Sequence, residues 1–285
     1  MTISELWQSI RKAFPLFTSL LAAGGSGCVV CGARCEPGGQ GALSSLCKRC
    51  IRSIPWIARV YCPVCGRPER CPDCVRRTRT AFVANRSAVR YDATIREWIA
   101  LYKYSGHEAL EPVLGEMLNA ACHAMQAEMS RHQRGMAFDG IVPVPVSGER
   151  LMERGFNQAA RLAEYVASGQ SLPCFDILRR TRHSEKQSHK TRGARLRDTR
   201  GLFEADAAAV ASMAELVMRL RAARASSCPP ASSANLPIRL LLIDDVYTTG
   251  STVNACAQAI ASGVAANDGV CAQGAEIYVL TLARS

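Results

Sequence analysis

The stretch LLLIDDVYTTGST, Leu240–Thr252, decides how the chain is read. An apolar run without alternation leads into two adjacent aspartates, Asp244 and Asp245, and then into a Thr/Gly/Ser loop. Such a run suits a strand buried on both faces of a parallel sheet. In open α/β sheets, ligands bind beyond the carboxyl ends of the strands, where this aspartate pair stands. Thr248, Thr249, Gly250, Ser251 and Thr252 would form the turn into the next helix. Backbone N–H groups, the helix dipole and the hydroxyls can together hold a phosphate there, and Gly250 lets the backbone come close. Two carboxylates would repel that phosphate if they touched it. They make sense if they accept hydrogen bonds from sugar hydroxyls or act through Mg²⁺ and its waters. The implied ligand carries a ribose 5-phosphate group.

The flanking sequence predicts an α/β fold. AFVANRSAVRY suggests a strand or hairpin from about 81 to 91, and Ile95, Trp98, Ile99 and Tyr102 then mark one face of a helix that ends near Lys103. Leu110, Val113, Leu114, Met117 and Leu118 mark a second helix. IVPVPV is a β-rich run, a helix opens near Asn157, and CFDILRR is a short strand. TVNACAQAIASGV and AEIYVLTLAR close the chain as helix and strand. Strands alternating with helices imply a parallel sheet covered on both faces. Residues 206–237 fit less well, with a helix-prone first half and a Ser/Pro loop after it, and are expected to be an insertion.

Nine of the 14 cysteines fall between Cys28 and Cys74, which argues for metal rather than a dispersed disulfide scaffold. They include four C-x-x-C pairs, Cys28/Cys31, Cys47/Cys50, Cys62/Cys65 and Cys71/Cys74, with Cys35 left over. Thiolates in fours suit tetrahedral Zn²⁺, so two structural sites are expected, paired in sequence order. This region is too short to build an apolar core, so metal would supply its folding energy. The expected organisation is an amphipathic extension over 1–27, a double zinc ribbon over 28–80 and the α/β domain over 81–285.

No run of 18 apolar residues occurs, so no membrane span is expected. The N-terminus faintly resembles a signal peptide. Glu5 in its charged region and the helical spacing of Trp7, Ile10, Phe14 and Phe17 favour an amphipathic helix instead. The net charge of +11 is uneven. Residues 1–80 carry 12 Lys and Arg against 4 acids, and 139–203 carry 12 against 7, a distribution that suits polyanions. The segment 178–200 alone holds nine basic residues against two acids, and could close over the site or grip a nucleic-acid backbone. Trp56, Tyr61, Trp98, Tyr102 and Tyr104 are candidates for stacking on bases, though core packing is the more common fate of aromatics.

Residues 240–252 resemble the phosphoribosyl-pyrophosphate (PRPP) motif of type I phosphoribosyltransferases. With the cysteine pairs, LYKYSG and VPVPVSGERLMERGFNQA, the chain resembles the ComF family of competence proteins from Cys28 onward. The resemblance implies a type I phosphoribosyltransferase-like sheet with an N-terminal zinc module. It implies that Asp244 and Asp245 hold the ribose hydroxyls, that Thr248–Thr252 cradle the 5′-phosphate, and that Lys103 stands on the ligand side. Arg150, Arg154, Asn157 and Gln158 would line the pyrophosphate side, where Arg suits phosphate oxygens. A Gln, a basic residue, an Asn and a Phe of the family fall on Gln187, Arg195, Asp198 and Phe203, and Asp198 departs from that pattern. A cytoplasmic protein is implied, with PRPP, Mg²⁺, single-stranded DNA and DNA-uptake proteins as partners and an unknown acceptor. The alternative is a non-catalytic, zinc-dependent nucleic-acid adaptor that uses the PRPP site as a sensor.

Overall fold

A computed structural model of the 285-residue chain describes residues 27–34, 36, 38–76, 79–104, 107–132, 136–181, 201–227, 236–267 and 273–285. The expected N-terminal amphipathic helix, Cys35, most of the basic segment (182–200, with Gln187, Arg195 and Asp198) and the Ser/Pro loop at 228–235 lie outside the described residues. The chain divides into two compact units, Met1–Ser53 and Ile54–Ser285. The first quartet of cysteines falls in the first unit. The second falls in the unit that holds the sheet.

In chain order the elements are α1 (Lys48–Arg52), α2 (Pro72–Arg76), β1 (Asn85–Arg90), α3 (Ala93–Tyr104), α4 (Glu111–His132), β2 (Gly140–Pro143), α5 (Gly148–Arg154) and α6 (Gln158–Gln170). They continue with β3 (Leu178–Arg180), β4 (Phe203–Ala205), α7 (Ala207–Ser227), β5 (Ile238–Tyr247), α8 (Ser251–Ala265) and β6 (Ala275–Arg284). Four strands form a parallel sheet in the order β1-β6-β5-β2. CFDILRR does not form one strand. Cys174 makes an isolated parallel bridge to Ile141, and β3 turns away to pair antiparallel with β4. Residues 81–91 give a single strand, β1, rather than a hairpin.

The two long central strands are buried on both faces. Leu240, Leu242, Ile277 and Val279 face a core shared with Val210, Met213, Cys256 and Ile260, from α7 and α8. On the other side, α4 packs on β1 and β6, and α6 packs on β2 and β5. The apolar faces read from the sequence are buried: Ile95, Trp98, Ile99 and Tyr102 on α3, and Val113, Leu114, Met117 and Leu118 on α4. Asn157 caps α6, its side-chain oxygen accepting from the Ala159 N–H at 3.0 Å. The first half of 206–237 becomes α7, a crossover helix whose Val210, Met213, Ala214 and Val217 lie in the core.

The bases of β2 and β5 are tied together by a charge. Asp139 takes a bidentate pair from Arg221 of α7 and accepts from the Arg239 N–H at 2.8 Å. Both side chains are nearly excluded from water. Removing one partner of a buried pair strands the other charge, so Asp139→Ala is expected to cost about 3–5 kcal/mol. The check is urea unfolding against wild type.

Candidate ligand site and metal centres

At its carboxyl end, β5 runs through the aspartates to Tyr247, and Asp244 stands opposite Thr281 of β6. Each carboxylate folds onto its own chain. Asp244 Oδ1 accepts from the Asp245 N–H, and Asp245 Oδ1 from the Val246 N–H, both at 2.9 Å. Lys103, at the end of α3, forms an ion pair with Asp245 Oδ2. Burial pushes the Asp244 carboxyl up to about 6, against the pull of Lys103 and Arg150. Burial pulls the Lys103 ammonium down to about 8, helped by Arg154, while Asp244 acts the other way. A desolvated charge raises the free energy of the free site, and a ligand that makes hydrogen bonds to it relieves that cost.

The loop after β5 is narrow by construction. Gly250 has φ +75°, and a Cβ there would stand 2.1 Å from the Tyr247 hydroxyl. Only glycine fits on both counts. The Thr249 and Ser251 hydroxyls are 2.9 Å apart, and α8 starts at Ser251, so its first N–H groups open towards the strand end.

A cavity of about 590 Å³ opens above this edge. Lys103, Arg150, Arg154, Gln158, Asp244, Asp245, Thr248 and Thr252 line it, which brings eight of the expected ligand residues to one space. Thr249, Gly250, Ser251 and Asn157 are not among its lining residues. Asn157 spends its side chain on the α6 cap and on the Val144 carbonyl. Arg154 donates to Gln158 Oε1 at 2.8 Å and to the Tyr104 hydroxyl at 2.9 Å, and lies over the Tyr104 ring. The sequence did not single out Glu149, Glu153 or Tyr104 for this wall, and it offered Arg180 only as one of the nine basic residues of 178–200. The acidic partners were legible in principle, since each glutamate directly precedes an arginine of SGER and MERG.

Both cysteine quartets are assembled, each with four sulfurs within 4.8 Å of one another. Cys31 and Cys47 sulfurs are 3.8 Å apart, and those of Cys65 and Cys71 are 3.4 Å apart. A zinc tetrahedron with bonds of about 2.3 Å places its sulfurs about 3.8 Å apart, so the soft donor set fits Zn²⁺. Backbone N–H groups of Cys50 and Cys74 point at Cys47 Sγ and Cys71 Sγ, as a metal-binding knuckle requires. Gly66, next to the second quartet, has φ +70°, and a Cβ there would meet the Asn85 carbonyl at 2.5 Å. That close approach sets the second quartet against β1.

No protein-family model matches the chain. It is similar to three curated proteins. It is 29% identical to competence protein ComFC of Bacillus subtilis, over 75% of this chain and 77% of that one. It is 27% identical to competence protein ComFC of Streptococcus pneumoniae, over 74% and 79%. It is 24% identical to competence protein F of Haemophilus influenzae, over 74% and 81%. No helix among the described residues is long and apolar enough to cross a membrane.

Leu46 is the one buried side chain other than cysteine among the described residues of the first unit. Stripping zinc with a strong chelator is therefore expected to unfold residues 27–53 and leave β5 and β6 protected. Amide hydrogen exchange, with and without the chelator, checks this.

Proposed function

We propose that this ComF-family protein binds Mg²⁺-bound PRPP in the cavity at the end of β5 and acts in DNA uptake by handling single-stranded DNA. The observation that carries this reading is the convergence of opposite charges across one cavity. Asp244 and Asp245 stand on one rim beside the hydroxyl-rich loop, with Lys103, Arg150 and Arg154 around the same space. In this reading the carboxylates of Asp244 and Asp245 accept from the ribose hydroxyls through their remaining lone pairs, Asp245 while still paired with Lys103. The loop N–H groups and the hydroxyls of Thr248 and Thr252 hold the 5′-phosphate, and the arginines face the pyrophosphate. Carboxylates beside ligand phosphates suit Mg²⁺, which when bound would neutralise the pyrophosphate.

For transfer, the bond between the ribose C1 and the pyrophosphate oxygen breaks as an acceptor nitrogen bonds to that carbon. The protein's part is to orient the sugar and to stabilise the charge that moves onto the leaving oxygens. A sensor that binds PRPP without transfer would use the same contacts. Pyrophosphate release separates the two.

Exposure narrows the surfaces open to single-stranded DNA. Trp98 and Tyr102 are core residues and cannot stack on bases, whereas Trp56, Tyr61 and Tyr104 are exposed. The competence proteins among its relatives, together with the basic segment 178–200, support DNA as a partner.

Asp244→Asn and Asp245→Asn are each expected to weaken PRPP about 10- to 100-fold, because hydrogen bonds to charged groups contribute about 1.5–3 kcal/mol. Calorimetry with Mg²⁺ reads this, and undiminished binding in both variants removes the site. The acid limb follows from Asp244. Above about pH 6 its carboxylate accepts hydrogen bonds, and below that a proton occupies it. PRPP affinity should fall about tenfold per pH unit below that point, more steeply than that of inorganic pyrophosphate, which lacks the ribose. Replacing Lys190, Arg192, Arg195, Arg197 and Arg200 with Ala is expected to flatten the salt dependence of DNA binding, by about 0.7 in log–log slope for each phosphate left unneutralised. An unchanged slope takes this segment out of the DNA footprint.

A further inference from the structure

Arg284, the last residue of β6, is buried with only 4% of its surface exposed. Among the described residues no Asp or Glu side chain pairs with it, and its Nη1 donates to the Ser285 oxygen. Beyond that contact its guanidinium spans two places. Nη1 donates to the carbonyls of Tyr247 and Thr248, at 3.2 and 3.0 Å, where the strand gives way to the phosphate-type loop. Nη2 donates to Cys65 Sγ of the second cysteine quartet, at 3.5 Å. The guanidinium also lies over the Tyr247 ring, 4.6 Å from its centroid, and that ring is what Gly250 packs against. Cys65 is fixed in turn, its carbonyl accepting from Asn85 Nδ2 of β1 at 3.0 Å.

We propose that Arg284 is a positioning residue that joins the Cys62/Cys65/Cys71/Cys74 metal site to the ligand loop, so that zinc there and a phosphorylated ribose ligand at Thr248–Thr252 strengthen each other's binding. A buried guanidinium needs a counter-charge. Four thiolates around one Zn²⁺ carry a formal charge of −2 and supply it, and a donor outside the ligand set also orients the thiolate it touches. The same fork holds two loop carbonyls, turning the adjacent N–H groups towards the cavity. Two sites biased by one element are linked thermodynamically, and the linkage is reciprocal. Neither the sequence motif nor the cysteine spacing announces this connection, because Arg284 stands 219 residues from Cys65.

The inference rests on the PRPP reading, and the experiment tells the two apart. Zinc release from the full chain is followed with a chromophoric chelator, with Mg²⁺ alone and with Mg²⁺ and PRPP, while calorimetry measures PRPP binding. The ligand should slow the release of one of the two zinc ions about fivefold or more, the lower end of ordinary coupling between sites, and leave the other unchanged. Arg284→Met should weaken PRPP and abolish that slowing without altering release of the other ion. PRPP that binds wild type yet changes neither release rate overturns the coupling and leaves the ligand site standing. No PRPP binding by wild type overturns the ligand site, and the coupling with it. The wild-type measurement decides even if the Arg284 variant does not fold.

Discussion

The parallel register of β5 against β6 governs most of what surrounds the candidate site. Ile238 pairs with Ala275 and Tyr247 with Arg284, so the two ten-residue strands run side by side from end to end. Their apolar runs commit both faces to burial, which fixes the helices above and below. The same register sets Asp244 against Thr281, whose buried hydroxyl is satisfied by Ser87 of β1 at 2.6 Å. It also delivers a guanidinium to the root of the loop. A slip of one residue would reverse every side chain of β6 and put Arg284 on the wrong face.

Much of this was legible in the sequence, for identifiable reasons. The run at 240–243 has no polar residue to place on a wet face, so a central strand was the economical reading. The spacing of Ile95, Trp98, Ile99 and Tyr102 left one solution for α3. The helix expected to open near Asn157 does open there, and the structure adds that the Asn157 side chain caps it. Cysteine spacing gave both quartets.

The rest depended on contacts that sequence does not encode locally. Short α5 has seven residues between a Ser147 cap and a left-handed Gly155, too few for periodicity to emerge. In α7 the buried positions 210, 213, 214 and 217 do keep helical spacing, but alanines and the exposed Leu216 blur the stripe. The pairing of β3 with β4 joins segments separated by a long basic stretch. The second quartet reads as part of a Cys-rich module, yet the Gly66–Asn85 approach places it with the sheet. Of the site itself, the aspartates and the loop were readable because their chemistry is contiguous. The Tyr104, Arg180 and Arg284 contributions were not, because each comes from a different element.

The space denied at Gly250 has a consequence for how this protein can vary over generations. One added carbon there displaces the Tyr247 ring, the ring carries Arg284, and Arg284 reaches Cys65. A substitution at any of these four positions is therefore felt by the other three. Drift in the ligand loop and drift in the cysteine cluster are not independent in this chain.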